Sequence, residues 1–192
     1  MVMKISLVFL WDLFFKFMKK LLLLLILFCI TQLNAKVLIS PIEAMQENYG
    51  VDTVVSKKNI LLNNTQFQTI QKNAHVKLNT KIYRIFTAKG DDDRVIGYGI
   101  LINKKVRSKN AVVLYFIKNN TLQGIEIIAF NEPKEYTPSK SWSEQFIDTK
   151  TTTMLQLNRD IPSISGATLS ARAVTDGSRV AFALYNKLLE GK

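Results

Sequence analysis

Residues 160–172 read Asp-Ile-Pro-Ser-Ile-Ser-Gly-Ala-Thr-Leu-Ser-Ala-Arg, directly ahead of the longest amphipathic stretch in the chain. Within them, Ser165-Gly166-Ala167-Thr168 places two residues without bulk side by side, so the backbone can approach a ligand closely. The first N–H groups of a following helix have no intrahelical acceptor and stand at the positive end of its dipole. Thr168 and Ser170 add hydroxyls at the same point. Free N–H groups, hydroxyls and little bulk make a seat for a phosphate. The same residues also suit a plain helix cap, with Ser or Thr capping and Gly making the turn. Physical chemistry alone favours the plain cap, because such turns are common.

Other chemistries are poorly supplied. The chain holds one His, His75, and one Cys, Cys29. That excludes an intramolecular disulfide, a cysteine zinc site and a multi-histidine metal site. A Ser hydrolase built on Ser165 or Ser170 lacks the glycine-flanked elbow and has only His75 as base. His75 reads as a cap or surface residue at a helix end. Asp91-Asp92-Asp93 lacks the wider ligand pattern of a calcium loop and reads as a turn.

The elements that must position the 160–172 segment follow from periodicity. Residues 42–49 read as a short helix stopped by Gly50, and Val51 to Leu62 as one or two strands. Thr65-Gln66-Phe67-Gln68 has capping-box spacing, with a helix running to about His75. Strands are expected over residues 81–86, 94–103, 111–118 and 122–130, with a Gly90–Asp93 turn and an Asn119-Asn120-Thr121 hairpin connection. Residues 141–146 give one helical turn. Ala171 to Leu189 is the best helix, with Val174, Gly177, Ala181, Leu184 and Leu188 on one stripe. The sum is an α+β domain: an antiparallel meander of three to five strands packed with helices, the long C-terminal helix following the Ser-Gly-Ala-Thr turn.

The chain has 192 residues, enough for one ordinary domain with a sizeable core. Its N-terminus reads as a targeting segment. Met18-Lys19-Lys20 forms a basic start, Leu21 to Ile30 a short apolar run, and Leu33-Asn34-Ala35 a small-residue cleavage site before Lys36. The run is about half of the ~20 residues a membrane span needs. Met18 is the expected start and Ala35 the expected cut, with residues 1–17 an upstream extension and an uncleaved inner-membrane anchor as the alternative. The domain plan is then residues 1–35 as extension and signal peptide, with 36–80 and 81–192 as parts of one domain. The four lysines and one aspartate of residues 1–35 lower the formal charge from +11 to +8 on cleavage, and remove Cys29. An exported basic chain points to acidic membranes or acidic redox partners rather than nucleic acid. A monomer is favoured.

Ser165-Gly166-Ala167-Thr168-Leu169-Ser170 before a helix resembles the flavinylation motif of FMN-binding domains. These occur in the FMN-carrying subunits of the sodium-pumping NADH:quinone oxidoreductase and Rnf complexes, and in small exported flavoproteins. Val95-Ile96-Gly97-Tyr98-Gly99, Leu122 to Ile127, Phe130-Asn131-Glu132-Pro133-Lys134-Glu135-Tyr136 and Trp142 to Phe146 are similar to further family segments, so that the resemblance runs over residues 81–189. It implies FMN esterified through its phosphate to Thr168. It also implies a cofactor site of Ser165, Gly166, Ala167, Thr168, Leu169 and Ser170 with Glu132 and Trp142, and attachment by an FAD:protein FMN transferase. The implied role is a periplasmic electron carrier exchanging electrons with membrane or periplasmic redox proteins. An exported binding or structural module with no flavin, or non-covalent flavin, is the alternative. One position departs from the family pattern: the Asp six residues before the modified Thr is here Pro162, and the nearest acid is Asp160. The basic run Lys104 to Lys109 reads as a solvated hairpin tip, with a partner-docking patch or a flavin-phosphate neighbour as the sharper alternatives.

Overall fold

A computed structural model of the chain describes residues 11–22 and 38–191. These belong to two compact units divided between Ala35 and Lys36. The expected cleavage site, Cys29 and all but Leu21 and Leu22 of the apolar run lie outside the described residues. Residues 11–22 form helix α1, with Trp11, Phe14 and Phe17 exposed and Lys16 paired with Asp12 at 3.3 Å. Among the described residues, no helix is long and apolar enough to cross a membrane.

The second unit runs α2 (Pro41–Tyr49), β1 (Val54–Leu61), α3 (Asn64–Ala74), β2 (Ile82–Lys89), β3 (Val95–Lys105), β4 (Asn110–Lys118), β5 (Thr121–Phe130), α4 (Lys140–Ser143) and α5 (Thr168–Leu188). Short 3-10 turns cover Lys134–Tyr136 and Glu144–Phe146. The sheet has five strands in the order β1-β2-β3-β4-β5, all pairs antiparallel. This is the α+β meander read from the sequence, at the upper end of its expected strand count. Sequential neighbours pair because short turns join them. Asn119 and Asn120 both adopt left-handed angles, φ 50° and 59°, which gives the two-residue turn that matches strand twist.

Two corrections concern helix starts. The capping box of α3 is Asn63 with Gln66, not Thr65 with Gln68. The Gln66 N–H donates to Asn63 Oδ1 at 2.8 Å, and the Asn63 N–H donates to Gln66 Oε1 at 3.0 Å. Asn is as good an N-cap as Thr, and its extended backbone ends the preceding segment two residues earlier. The C-terminal helix begins at Thr168 rather than Ala171, because its first turn lies ahead of the apolar stripe that marks it in the sequence.

One face of the sheet packs on α3 and α5, with Ile85, Ile100, Tyr115, Ile117 and the stripe of α5 buried together. The other face packs on α2 through Ala44, Met45, Phe86, Leu114 and Phe116. Glycines permit the closest approaches. A Cβ at Gly99 of β3 would lie 2.3 Å from Met45 Sδ, and one at Gly97 would lie 2.6 Å from the Tyr49 ring. On the opposite face a Cβ at Gly177 of α5 would lie 2.2 Å from the Tyr115 hydroxyl, which donates to the Val174 carbonyl at 2.8 Å. That hydrogen bond and that glycine fix how far α5 stands from β4, and so where its N-terminus sits.

Candidate functional site

The turn before α5 is built by its own backbone. The Ala167 N–H donates to the Ile164 carbonyl at 3.0 Å, and Gly166, third of the four residues, has φ 75°. A turn with positive φ at that position takes glycine most readily. A Cβ at Gly166 would meet nothing within 4 Å, so the backbone angle and not space calls for glycine there. Ala167 is the N-cap residue and is buried, and no side chain caps the helix. The plain-cap arrangement, with a Ser or Thr oxygen on the first N–H groups, is therefore not the one adopted. The first turn of this 21-residue helix keeps its N–H groups free of a side-chain acceptor.

Residues 166–170 form one wall of a cleft of about 260 Å³, and Val106, Arg107, Glu132 and Tyr136 form the rest. Thr168 is exposed, and Leu169 is half-exposed. Ser170 is 1% exposed and lines the cleft. A larger depression of about 360 Å³ lies elsewhere, beside Lys77, Tyr83 and Arg84, and contains none of residues 165–170.

Glu132 reaches this cleft from the end of β5, but its carboxylate is already engaged. Oε1 accepts the N–H groups of Arg107 at 3.1 Å, Ser108 at 2.7 Å and Lys109 at 2.7 Å. These bonds tie the β3–β4 turn to the segment after β5. The Lys109 N–H above all, with those of Ser108 and Arg107, holds the carboxyl below its ordinary value, against partial desolvation that pushes it up.

Trp142 is placed differently from the turn residues. It lies outside the cleft lining, buried, edge-on to Phe146 at 5.2 Å. Its Nε1–H donates to the Pro162 carbonyl at 2.9 Å, so it anchors the chain entering the turn. Ser165 is exposed and also stands outside the lining. Asp160, the acid nearest Pro162, closes its own loop. It accepts from Arg159 Nη2 at 2.9 Å and from the Gln156 N–H at 2.8 Å, and the Arg159 guanidinium first holds its carboxyl below the ordinary range.

The structure thus brings Gly166, Ala167, Thr168, Leu169, Ser170 and Glu132 to one cleft, and leaves Ser165 and Trp142 beside it. Val106 and Tyr136 are lining residues that the sequence reading did not single out. Tyr136 closes the Phe130–Tyr136 stretch, and Val106 carries no signal of its own. Within the basic run, Lys104 reaches Asp176 of α5 at 3.4 Å, Arg107 faces the cleft, and Lys105 and Lys109 are exposed. Among the described residues, no cluster of His, Cys, Asp or Glu could hold a metal ion.

Residues 108–183 match the family model of the FMN-binding domain. The match starts in the β3–β4 turn and ends inside α5, so it spans Glu132, Trp142 and residues 165–170, while Val106 and Arg107 lie just ahead of it. No curated protein matches the chain.

Proposed function

We propose, from the FMN-binding domain that residues 108–183 carry, that this chain is an exported electron carrier with FMN esterified to Thr168. The observation that carries the reading is the meeting of three features in one cleft. They are the exposed Thr168, the buried Ser170, and a helix start with no side-chain cap. That donor set fits a phosphate: N–H groups and a hydroxyl for the free oxygens, and a second hydroxyl for the ester. The cleft is smaller than the roughly 300–1,000 Å³ of sites that engulf a whole ligand. It would hold one end of a flavin and leave the rest accessible, which suits exchange of electrons with another protein. The flavin supplies the redox chemistry when bound.

The chain's own residues have defined parts. Gly166 sets the turn, Ala167 leaves room beside the phosphate, Thr168 offers the oxygen, and Ser170 donates to a phosphate oxygen. In the attachment reaction, by an FAD:protein FMN transferase, the Thr168 oxygen bonds to the FMN phosphorus of FAD. The pyrophosphate bond breaks and AMP leaves, while the hydroxyl proton passes to solvent. A tether keeps the cofactor in place in a compartment with little free FMN. Cleavage after Ala35 would release the protein to the periplasm, where membrane or periplasmic redox proteins are its partners. Pro162 favours a second reading, in which the fold holds FMN non-covalently or serves as a module without flavin.

Protein co-expressed with the transferase and then denatured should stay yellow, with one FMN less one water added to the peptide containing Thr168. Thr168→Val should remove the bound colour and leave the fold intact, because Thr168 is exposed and its hydroxyl supports no other group. Thr168→Ser should keep part of it. Colour lost from wild-type protein on denaturation, with no added mass, replaces the ester with non-covalent FMN. Absence of flavin under every condition leaves the flavin-free module.

A further inference from the structure

Glu132 and Arg107 meet on the cleft in a way that the carrier reading leaves unexplained. A carboxylate beside a phosphate seat would repel the ligand. Here the carboxylate is turned onto the β3–β4 backbone, and three N–H groups share its charge through Oε1. The effect is to fix the turn whose second residue is Arg107. Among the described residues, Arg107 is the one Lys or Arg that lines the cleft. Its guanidinium makes no ion pair or hydrogen bond among the described residues, whereas nearby Lys104 and Arg179 are both paired with Asp176. A cation pinned at its backbone, unpaired at its head and set against Thr168 and Ser170 suits an anion that arrives from outside.

We propose that Arg107 binds the phosphate of FMN, and that Glu132 is the positioning residue that holds Arg107 in place. The proposal rests on the flavin reading above. At neutral pH the phosphate is the charged group of FMN, and a guanidinium fork matches two phosphate oxygens at once. The N–H groups of α5 and the Ser170 hydroxyl approach the same group from the other wall. The carboxylate works through the backbone of residues 107–109 and does not touch the ligand. Arg107 lies one residue ahead of the matched segment, so the assignment comes from the cleft and not from the family match.

The test compares FMN with riboflavin, which is the same ring system without the phosphate. Full-length protein made without the transferase is titrated with each, following quenching of flavin fluorescence. Wild type should prefer FMN, and the preference should shrink as salt rises. Arg107→Gln should lower FMN affinity about tenfold or more, the scale of a lost charge-assisted pair, and leave riboflavin affinity unchanged. Arg107→Lys should recover part of the FMN affinity, since it keeps the charge and loses the fork. Glu132→Gln should reduce the FMN-to-riboflavin ratio in the same direction, a change that mere loss of stability would not make. Equal loss of both ligands in Arg107→Gln, or no loss of either, overturns the proposal while the flavin reading stands. If wild-type protein binds neither flavin, the proposal falls, while the flavin reading stands or falls separately with the mass that the transferase adds at Thr168.

Discussion

Thr168 is exposed on the first turn of α5, where the helix has no side-chain cap. Ser170, two residues on, is buried. Pro162, in the preceding loop, stands where the flavinylation pattern that this turn resembles carries Asp. The Pro162 side chain is exposed, and its carbonyl is the acceptor for Trp142 Nε1. Pro162→Asp keeps that carbonyl and places an acid six residues before Thr168. It should raise the fraction of protein carrying FMN after co-expression with the transferase, read by intact mass, with little change in thermal stability. Unchanged occupancy would show that the enzyme does not read this position. Glu132 gives a pH-dependent outcome. Its folded value lies below the ordinary 4.5, so its contribution to stability is complete above about 4.5 and is lost as pH falls through the folded value. Amide exchange at Ser108 and Lys109 should therefore accelerate in acid, and Glu132→Gln should exchange fast at neutral pH too. At this scale the sequence showed the hydroxyls and the turn, because their types and spacing are local. It did not show that Glu132 binds the 107–109 backbone, since that pairing joins residues more than twenty positions apart.

The strands and helices were legible where side-chain period is strong. β2 to β5 alternate or run apolar between clear turn residues, and the stripe of α5 is unbroken from Val174 to Leu188. Helix starts were less legible, because several polar residues near residues 63–65 can each serve as a cap. The glycines of the elements are explained only by the packing. Gly177 lies on the buried stripe of α5, where alanine would normally raise helix propensity by about 1 kcal/mol. The Tyr115 hydroxyl at 2.2 Å from a Cβ there reverses the sign. Gly177→Ala must displace a fully buried tyrosine and disturb its bond to the Val174 carbonyl. Overpacking of this kind costs about 1–3 kcal/mol, with about 1 kcal/mol more for the hydrogen bond. The net expected loss is about 2 kcal/mol, which lowers the melting temperature by roughly 4–8 °C in a domain of this size. Adding Tyr115→Phe removes the clashing oxygen and should recover part of the loss. A Gly177→Ala protein that melts at or above wild type would mean that α5 stands farther from β4 than the structure places it. Loss of that spacing would also move the turn at Thr168, so flavin occupancy should fall alongside stability.

Across the unit from residue 36 onward, the charge of +8 is uneven in its availability. The sequence counts every lysine of the 104–109 run alike, but the fold does not. Lys104 is partly buried against Asp176, and Arg107 faces the cleft. That leaves Lys105 and Lys109 exposed on the turn that borders the proposed flavin site. A partner drawn to those two lysines would arrive beside the cofactor, so steering and electron transfer would share one face. Complementary charge chiefly raises association rates, and exposed charges stop acting beyond about 10 Å at ~0.1 M salt. For flavin-loaded protein, the second-order rate of electron exchange with an acidic redox protein, followed by stopped-flow flavin absorbance, should therefore fall as salt rises. Lys105→Glu together with Lys109→Glu should lower the low-salt rate about tenfold or more and flatten the salt dependence, while the two proteins converge at high salt. The flavin spectrum and melting temperature should stay unchanged, because neither side chain lines the cleft or makes an ion pair among the described residues. A rate indifferent to salt, or a double variant as fast as wild type in dilute buffer, would reduce the run to a solvated turn. The partner would then have to approach the cleft from another side.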